Sequence, residues 1–274
     1  MNKGQRRPAR RLHVRRTCAL TMCALTLIAL ALTCGACARF ADHFSRGDKM
    51  RVGAEQQHGQ HDATENTQGG ATPQPDAPVV YVALGDSTGV GMGARKGGGY
   101  VARLFERIER VRPGSRVVNL CMSGARTDDA LRGQVARVAA LHPTLVTVGI
   151  GINDVTNNVP FERFAANYEQ IITRLRAATD APIVATNIPD ISPAPAVPEF
   201  ARAEAARRIA LFNERIAQIA AQQQITLVDA YDMSREIIPA HPEFFSADGF
   251  HPSDEGYEYW AKMMWPAVKT AIGE

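Results

Sequence analysis

Four short segments of this 274-residue chain carry side chains and backbone groups that could work together on an acyl group. Gly85-Asp86-Ser87-Thr88-Gly89 offers a hydroxyl. Asn119-Leu120-Cys121-Met122-Ser123-Gly124-Ala125 offers a glycine amide. Gly151-Ile152-Asn153-Asp154 offers a side-chain amide, and Asp248-Gly249-Phe250-His251-Pro252 offers an Asp/His pair. A serine hydroxyl is barely ionised at neutral pH and needs a base within hydrogen-bond reach. A tetrahedral intermediate needs donors for the negative charge on its oxygen. Nucleophile, base, orienting acid and oxyanion donors together meet the needs of acyl transfer.

Such groups act together only if one framework holds them on one edge. Continuous apolar runs at 79–84, 116–120, 145–150, 183–187 and 225–229 fit strands buried on both faces, as a parallel sheet requires. Stretches with helical period lie between them at 100–111, 128–141, 161–178 and 199–223. A last helix at 255–272 is expected to bend or break at Pro266. This alternation predicts one doubly wound, flavodoxin-like, three-layer α/β/α domain over 79–274, with a five-stranded parallel sheet. Sheets of this kind place their sites at the carboxyl ends of the strands. Three of the four segments follow directly on such a strand.

The constellation resembles the SGNH, or GDSL-type, hydrolase family over essentially all of 79–274, in the family's order. Gly85-Asp86-Ser87 matches its first block, Gly124 the glycine of the second, Asn153 the asparagine of the third, and Asp248-Gly-Phe-His251-Pro the fifth. Thr88 replaces the leucine of the family name, and Cys121-Met122 stand where small polar residues are more usual. The resemblance implies a serine hydrolase that cleaves acyl esters or thioesters through an acyl-serine intermediate, without cofactor or metal. It implies Ser87 as nucleophile, His251 as base and Asp248 as the acid that orients it. The oxyanion hole would be the amides of Ser87 and Gly124 with the side chain of Asn153. The three-residue spacing lets a tight turn bring the Asp248 carboxylate to His251 Nδ1 and fix the tautomer. A side chain at position 124 would obstruct the substrate. The expected substrates are small-molecule, lipid or acylated-sugar esters, and the expected state is a monomer.

Other readings compete at single residues. Alone, Ser87 would be a turn serine capping the next helix. Asp154 reads as a loop brace, Asn187 and Asp190 as turn residues that could line a pocket, and Cys121 as a small buried hydrophobe. The segments 89–99 and 189–198 are expected to border the pocket. Gly-x-Ser-x-Gly at 85–89 also fits an α/β-hydrolase elbow, but that elbow lies mid-chain, whereas this one follows the first strand. Gly89-Val90-Gly91-Met92-Gly93-Ala94 fits a dinucleotide fingerprint, yet no acid ends the second strand to hold a ribose. A binding module with an inactive site of this type is the rival from another class.

The chain's start reads as an address. Lys3, Arg6, Arg7, Arg10, Arg11, Arg15 and Arg16 precede an uncharged stretch over 17–38. Residues 1–38 therefore carry seven positive charges and no acid, so a net charge of +3 overall leaves the remainder at −4. That remainder lacks the basic balance of a nucleic-acid binder. Three kinds of leader fit: a signal cleaved after Ala38, lipidation at Cys37, or a membrane anchor over 17–38. Each puts the body outside the cytoplasm, in the periplasm or cell envelope or secreted, with membrane contact only through this segment. Four of the five cysteines lie in the leader, so Cys121 has no partner for an internal disulfide. Residues 39–78 read as a flexible linker poor in aliphatic residues; His58 and His61 lie there without a ligand-rich setting. A protein comprising 79–274 should accordingly be soluble and as active as the full chain. Inactivity of that piece beside an active longer one would show that the linker packs on the domain.

Overall fold

The computed structural model describes residues 77–274, so the leader and nearly all of the linker lie outside the described residues. Five strands form one sheet: β1 Val80–Gly85, β2 Arg116–Asn119, β3 Leu145–Gly149, β4 Ile183–Thr186 and β5 Thr226–Val228. All neighbours are parallel, in the order β2-β1-β3-β4-β5. This is the expected doubly wound α/β arrangement. The order reverses between β1 and β3, whose last residues pair as Gly85 with Gly149. A crevice opens at such a reversal, and Ser87 stands beside it.

Alternation along the strands sorts the core into two layers. Val82, Leu84, Val146 and Val148 face one side, against Phe164, Tyr168, Ile172, Phe212 and Ile216. Those partners come from α5 Phe161–Ala178 and α6 Glu199–Gln222. Tyr81, Ala83, Leu145 and Val184 face the other side, against Tyr100, Leu104, Ile108, Tyr257 and Met264. These belong to α2 Tyr100–Val111 and α8 Asp254–Ala271. Shorter helices fill the strand ends: α1 Ser87–Val90, α3 Thr127–Asp129, α4 Ile152–Thr156 and α7 Ala230–Ile237.

Two expected helices differ. The stretch 128–141 is not one α-helix: after α3 it widens into a π turn at Ala130–Gln134, then tightens into 3-10 turns at Val135–Arg137 and Ala139–Leu141. The wide turn accompanies an inward side chain. Gln134 is buried, accepts from the Gly85 amide at 2.8 Å and donates to the Gly85 carbonyl at 2.8 Å. The chain forgoes a regular helix here and satisfies the last residue of β1 instead. The last helix, in contrast, runs unbroken through Pro266. Pro266 and Lys262, whose carbonyl would lose its usual partner, are both exposed, so water can serve that carbonyl.

Replacing Gln134 with leucine should strand the buried Gly85 amide. Chemical denaturation should show a loss of about 1–3 kcal/mol; no loss would mean that the side chain only fills space.

Candidate active site

Ser87 follows directly on β1 and opens α1. Asp86, not Ser87, is the cap: its carboxylate accepts from the Thr88 amide at 3.0 Å and the Thr88 hydroxyl at 2.9 Å. That leaves the Ser87 hydroxyl available, on a residue only 6% exposed. The first amides of a helix have no acceptor within it, so the Ser87 N–H belongs to the unsatisfied set.

The histidine arrives from the far end of the domain. An antiparallel bridge between Phe245 and Pro252, with the Ser246 amide donating to the His251 carbonyl at 2.8 Å, closes a loop ahead of α8. Gly249 turns inside it at φ +69°, a conformation costly for other residues. This folds Asp248 back onto His251. His251 Nδ1 lies 2.6 Å from Asp248 Oδ2, and Nε2 lies 3.0 Å from Ser87 Oγ. The second carboxylate oxygen, Oδ1, accepts from the Ser246 hydroxyl and from the Phe250 and His251 amides at 2.8–2.9 Å. Partial burial alone would raise this carboxyl. The bond to His251 and the other three donors outweigh it and bring it down to about 2.

The other two segments are tied to each other. Asn153 Nδ2 donates to the Ala125 carbonyl at 3.0 Å, placing its amide against the Gly124 loop and leaving a second N–H. Next to it, buried Asp154 accepts from the Thr127 amide at 2.9 Å and the Thr127 hydroxyl at 2.6 Å. Burial raises the Asp154 carboxyl despite those bonds, and its role is the brace expected of it. The Met122 amide donates to the Gly85 carbonyl at 3.1 Å, which anchors the same loop to the end of β1. Gly124 adopts φ +77°, and a Cβ there would meet no protein atom within 4 Å. The glycine thus answers to its backbone conformation; anything a side chain would obstruct lies outside the protein.

The remaining expectations divide. Asn187 does line the cavity beside Ser87, with one N–H of its amide given to Asp229 at 2.8 Å and its oxygen accepting from the Tyr231 amide at 2.8 Å. Asp190 is a turn residue, accepting from the Ser192 amide. Cys121 is largely buried, and that burial pushes its thiol far up, as suits packing rather than chemistry. His241 pairs with Glu243 and stacks on Phe244. Pro189 and Ile191 line the cavity as expected of 189–198. The segment 89–99 does not. Beyond α1 the Arg95 and Lys96 amides bind the Asp254 carboxylate at the start of α8, which draws the segment to a separate polar recess beside Asp248. The sequence reading missed Gln134 and the part of Asp254 in this latch; neither has a local signal. Among the described residues no group of three or more His, Cys, Asp or Glu is placed to hold a metal ion, and no helix is long and apolar enough to cross a membrane.

The family comparison agrees with this geometry. Residues 83–259 match the model of the GDSL-like lipase/acylhydrolase family. The chain belongs to that family. It is an ester-hydrolysing serine hydrolase. Comparison with curated protein sequences found no match. Among solved structures, a lipase/acylhydrolase from Enterococcus faecalis aligns with TM-score 0.58 and 23% identity, over 70% of this chain and 96% of its own. The psychrotrophic esterase EstA from a Pseudoalteromonas species, inhibited by monoethylphosphonate, aligns with TM-score 0.57 and 19% identity, over 71% and 99%. An acetylxylan esterase from Geobacillus stearothermophilus aligns with TM-score 0.55 and 23% identity, over 73% and 96%. At these identities the structural likeness speaks for the fold.

Asp86 yields a pH prediction. Burial raises its carboxyl to about 6, with the Thr88 bonds and the nearby His251 working the other way. The folded state therefore holds this proton to higher pH than the unfolded one does. Its contribution is full below pH ~4 and is lost as pH rises to about 6, a decline on the order of 3 kcal/mol. Asp86→Asn keeps a capping oxygen but removes the titration. Melting temperature should fall from pH 4 to 6 more steeply in the parent than in this variant; identical slopes would refute the assignment.

Proposed function

We propose that this chain is an exported serine esterase that works through an acyl-Ser87 intermediate. The observation that supports it most is the unbroken chain from Asp248 Oδ2 through both nitrogens of His251 to Ser87 Oγ. In this reading Ser87 Oγ attacks the ester carbonyl as its proton passes to His251 Nε2. The new C–O bond pushes the carbonyl electrons onto oxygen. The Ser87 and Gly124 amides and the second N–H of Asn153 stabilise that charge. The intermediate collapses and expels the alkoxide, which takes the proton from His251. Water, deprotonated by the same nitrogen, then attacks the acyl-serine, and Ser87 regains its proton as the acid leaves. Asp248 stays ionised throughout and holds the imidazole in register. Export rests on the basic, then apolar, opening of the sequence and on the lone thiol of the body.

Kinetics of variants separate the roles. Ser87→Ala, His251→Ala and the double variant should be about equally impaired, because the two residues act as one unit. Asp248→Asn should retain some rate, since it misorients the base without removing it. Asn153→Ala should lower kcat roughly 100- to 1,000-fold with little change in KM. A phosphonate ester should label Ser87 alone. If Asn153→Ala raised KM at unchanged kcat, Asn153 would bind the ground state and the oxyanion role would be wrong.

A further inference from the structure

A cavity of about 100 Å³ opens beside Ser87 and His251. Its walls are Ile150 past the end of β3, Ile188 past β4, Ile237 of α7, Phe244, and Trp260 and Met263 of α8. Neither Gly124 nor Asn153 belongs to its lining, so it extends from Ser87 away from the groups assigned to the oxyanion. Three of the polar side chains along it are engaged by neighbours, and the indole Nε1 of Trp260 is buried in its wall without a partner among the described residues. Asp86 is held by Thr88, Asn187 by Asp229 and Tyr231, and Ser234 by the Tyr231 carbonyl at 2.7 Å. A hydroxylated chain would find little to bind there, whereas an alkyl chain would shed its water against aliphatic and aromatic walls.

We propose that this cavity is an acyl-chain pocket and that the enzyme prefers esters of unbranched acids of about four to six carbons. The proposal rests on the esterase reading above and specifies its substrate. The length follows from volume: a cavity of about 150 Å³ takes a six-carbon ring, so this one takes about four carbons, and the carbonyl and the carbon next to it can remain at the mouth. Turnover decides for the acyl side over the alcohol side. The alcohol must depart and water must take its place beside His251 Nε2. The apolar walls of this cavity give an incoming water few partners to bind it there. The acyl group stays bonded to Ser87 Oγ across both steps and can remain buried.

The test uses two substrate series with the full chain. Across p-nitrophenyl acetate, butanoate and hexanoate, kcat/KM should rise about fourfold per methylene, then fall for decanoate. Across acetates of lengthening alcohols it should stay within about threefold. Ile237 is half-buried in the wall, so it can be changed in both directions. Ile237→Trp, which fills the cavity, should lower the hexanoate-to-acetate ratio at least tenfold, an order-of-magnitude estimate. Ile237→Ala should move the optimum to a longer acyl chain. Each ratio is read within one variant, so a partly folded preparation does not distort it. A gradient that follows the alcohol, a flat acyl series, or ratios that neither variant changes would overturn the pocket while leaving the esterase reading intact. Failure to hydrolyse any ester, with Ser87 unlabelled by phosphonate, would defeat both.

Discussion

A serine hydroxyl that shares a proton with a histidine 164 positions along the chain requires the two ends of the domain to be held in fixed register. The face built from α2 and α8 meets that requirement. Tyr100 stacks on Trp260 with ring centres 5.4 Å apart and planes 13° from parallel. Around this pair, the chain just after Ser87 is fastened to the start of α8. Tyr257 donates to the Met92 carbonyl at 2.7 Å, and Asp254 accepts from the Arg95 and Lys96 amides and from Arg103. Exposed ion pairs such as Arg107 with Glu258 add little energy. The aromatic burial carries the stability, and the polar bonds fix the register.

The side that carries Gly124 and Asn153 is assembled on the same plan with smaller parts. Among the bonds that hold the segment after β2 are the Met122 amide to the Gly85 carbonyl, Asn153 to the Ala125 carbonyl, and the Thr127 amide to Asp154. Two of these involve consecutive residues of α4. The Asn-Asp pair therefore does two jobs: Asn153 holds the Ala125 carbonyl with one N–H and keeps a second, while Asp154 fixes Thr127 beyond Gly124. Catalysis by preorganised donors depends on such bracing, because a donor that must be reoriented during the reaction loses most of its advantage.

Features encoded locally were legible in the sequence. Five apolar runs became five strands within a residue or two, and the order of chemistry-bearing loops matched their convergence on one edge. Asp248 and His251 could be paired because a three-residue spacing limits the geometry. Features created by distant contacts were not legible. Gln134 sits in a stretch with helical period, and only the Gly85 amide at the end of β1, which it satisfies, explains why the helix gives way there. The 89–99 segment is rich in glycine, as pocket loops often are, but a carboxylate near the far end of the chain draws it elsewhere. The apolar cavity draws walls from β3, β4, α7 and α8, so no single window of sequence contains it.

The two aspartates of the site show how one residue type is divided between tasks by its surroundings. Asp248 borders a polar recess with Arg95 and Ser253 and receives four hydrogen bonds, so it stays an anion down to about pH 2. Asp86 is buried beside the apolar cavity and is raised to about 6. An orienting carboxylate must remain charged whenever the histidine carries a proton, which solvent contact and donors secure. A capping carboxylate has to accept only the bonds at the start of α1, and it can tolerate burial. The polar recess lies beside Asp248 and the apolar cavity beside Ser87 and His251. Charged groups thereby gather beside Asp248, while the space next to Ser87 is walled mainly by apolar side chains.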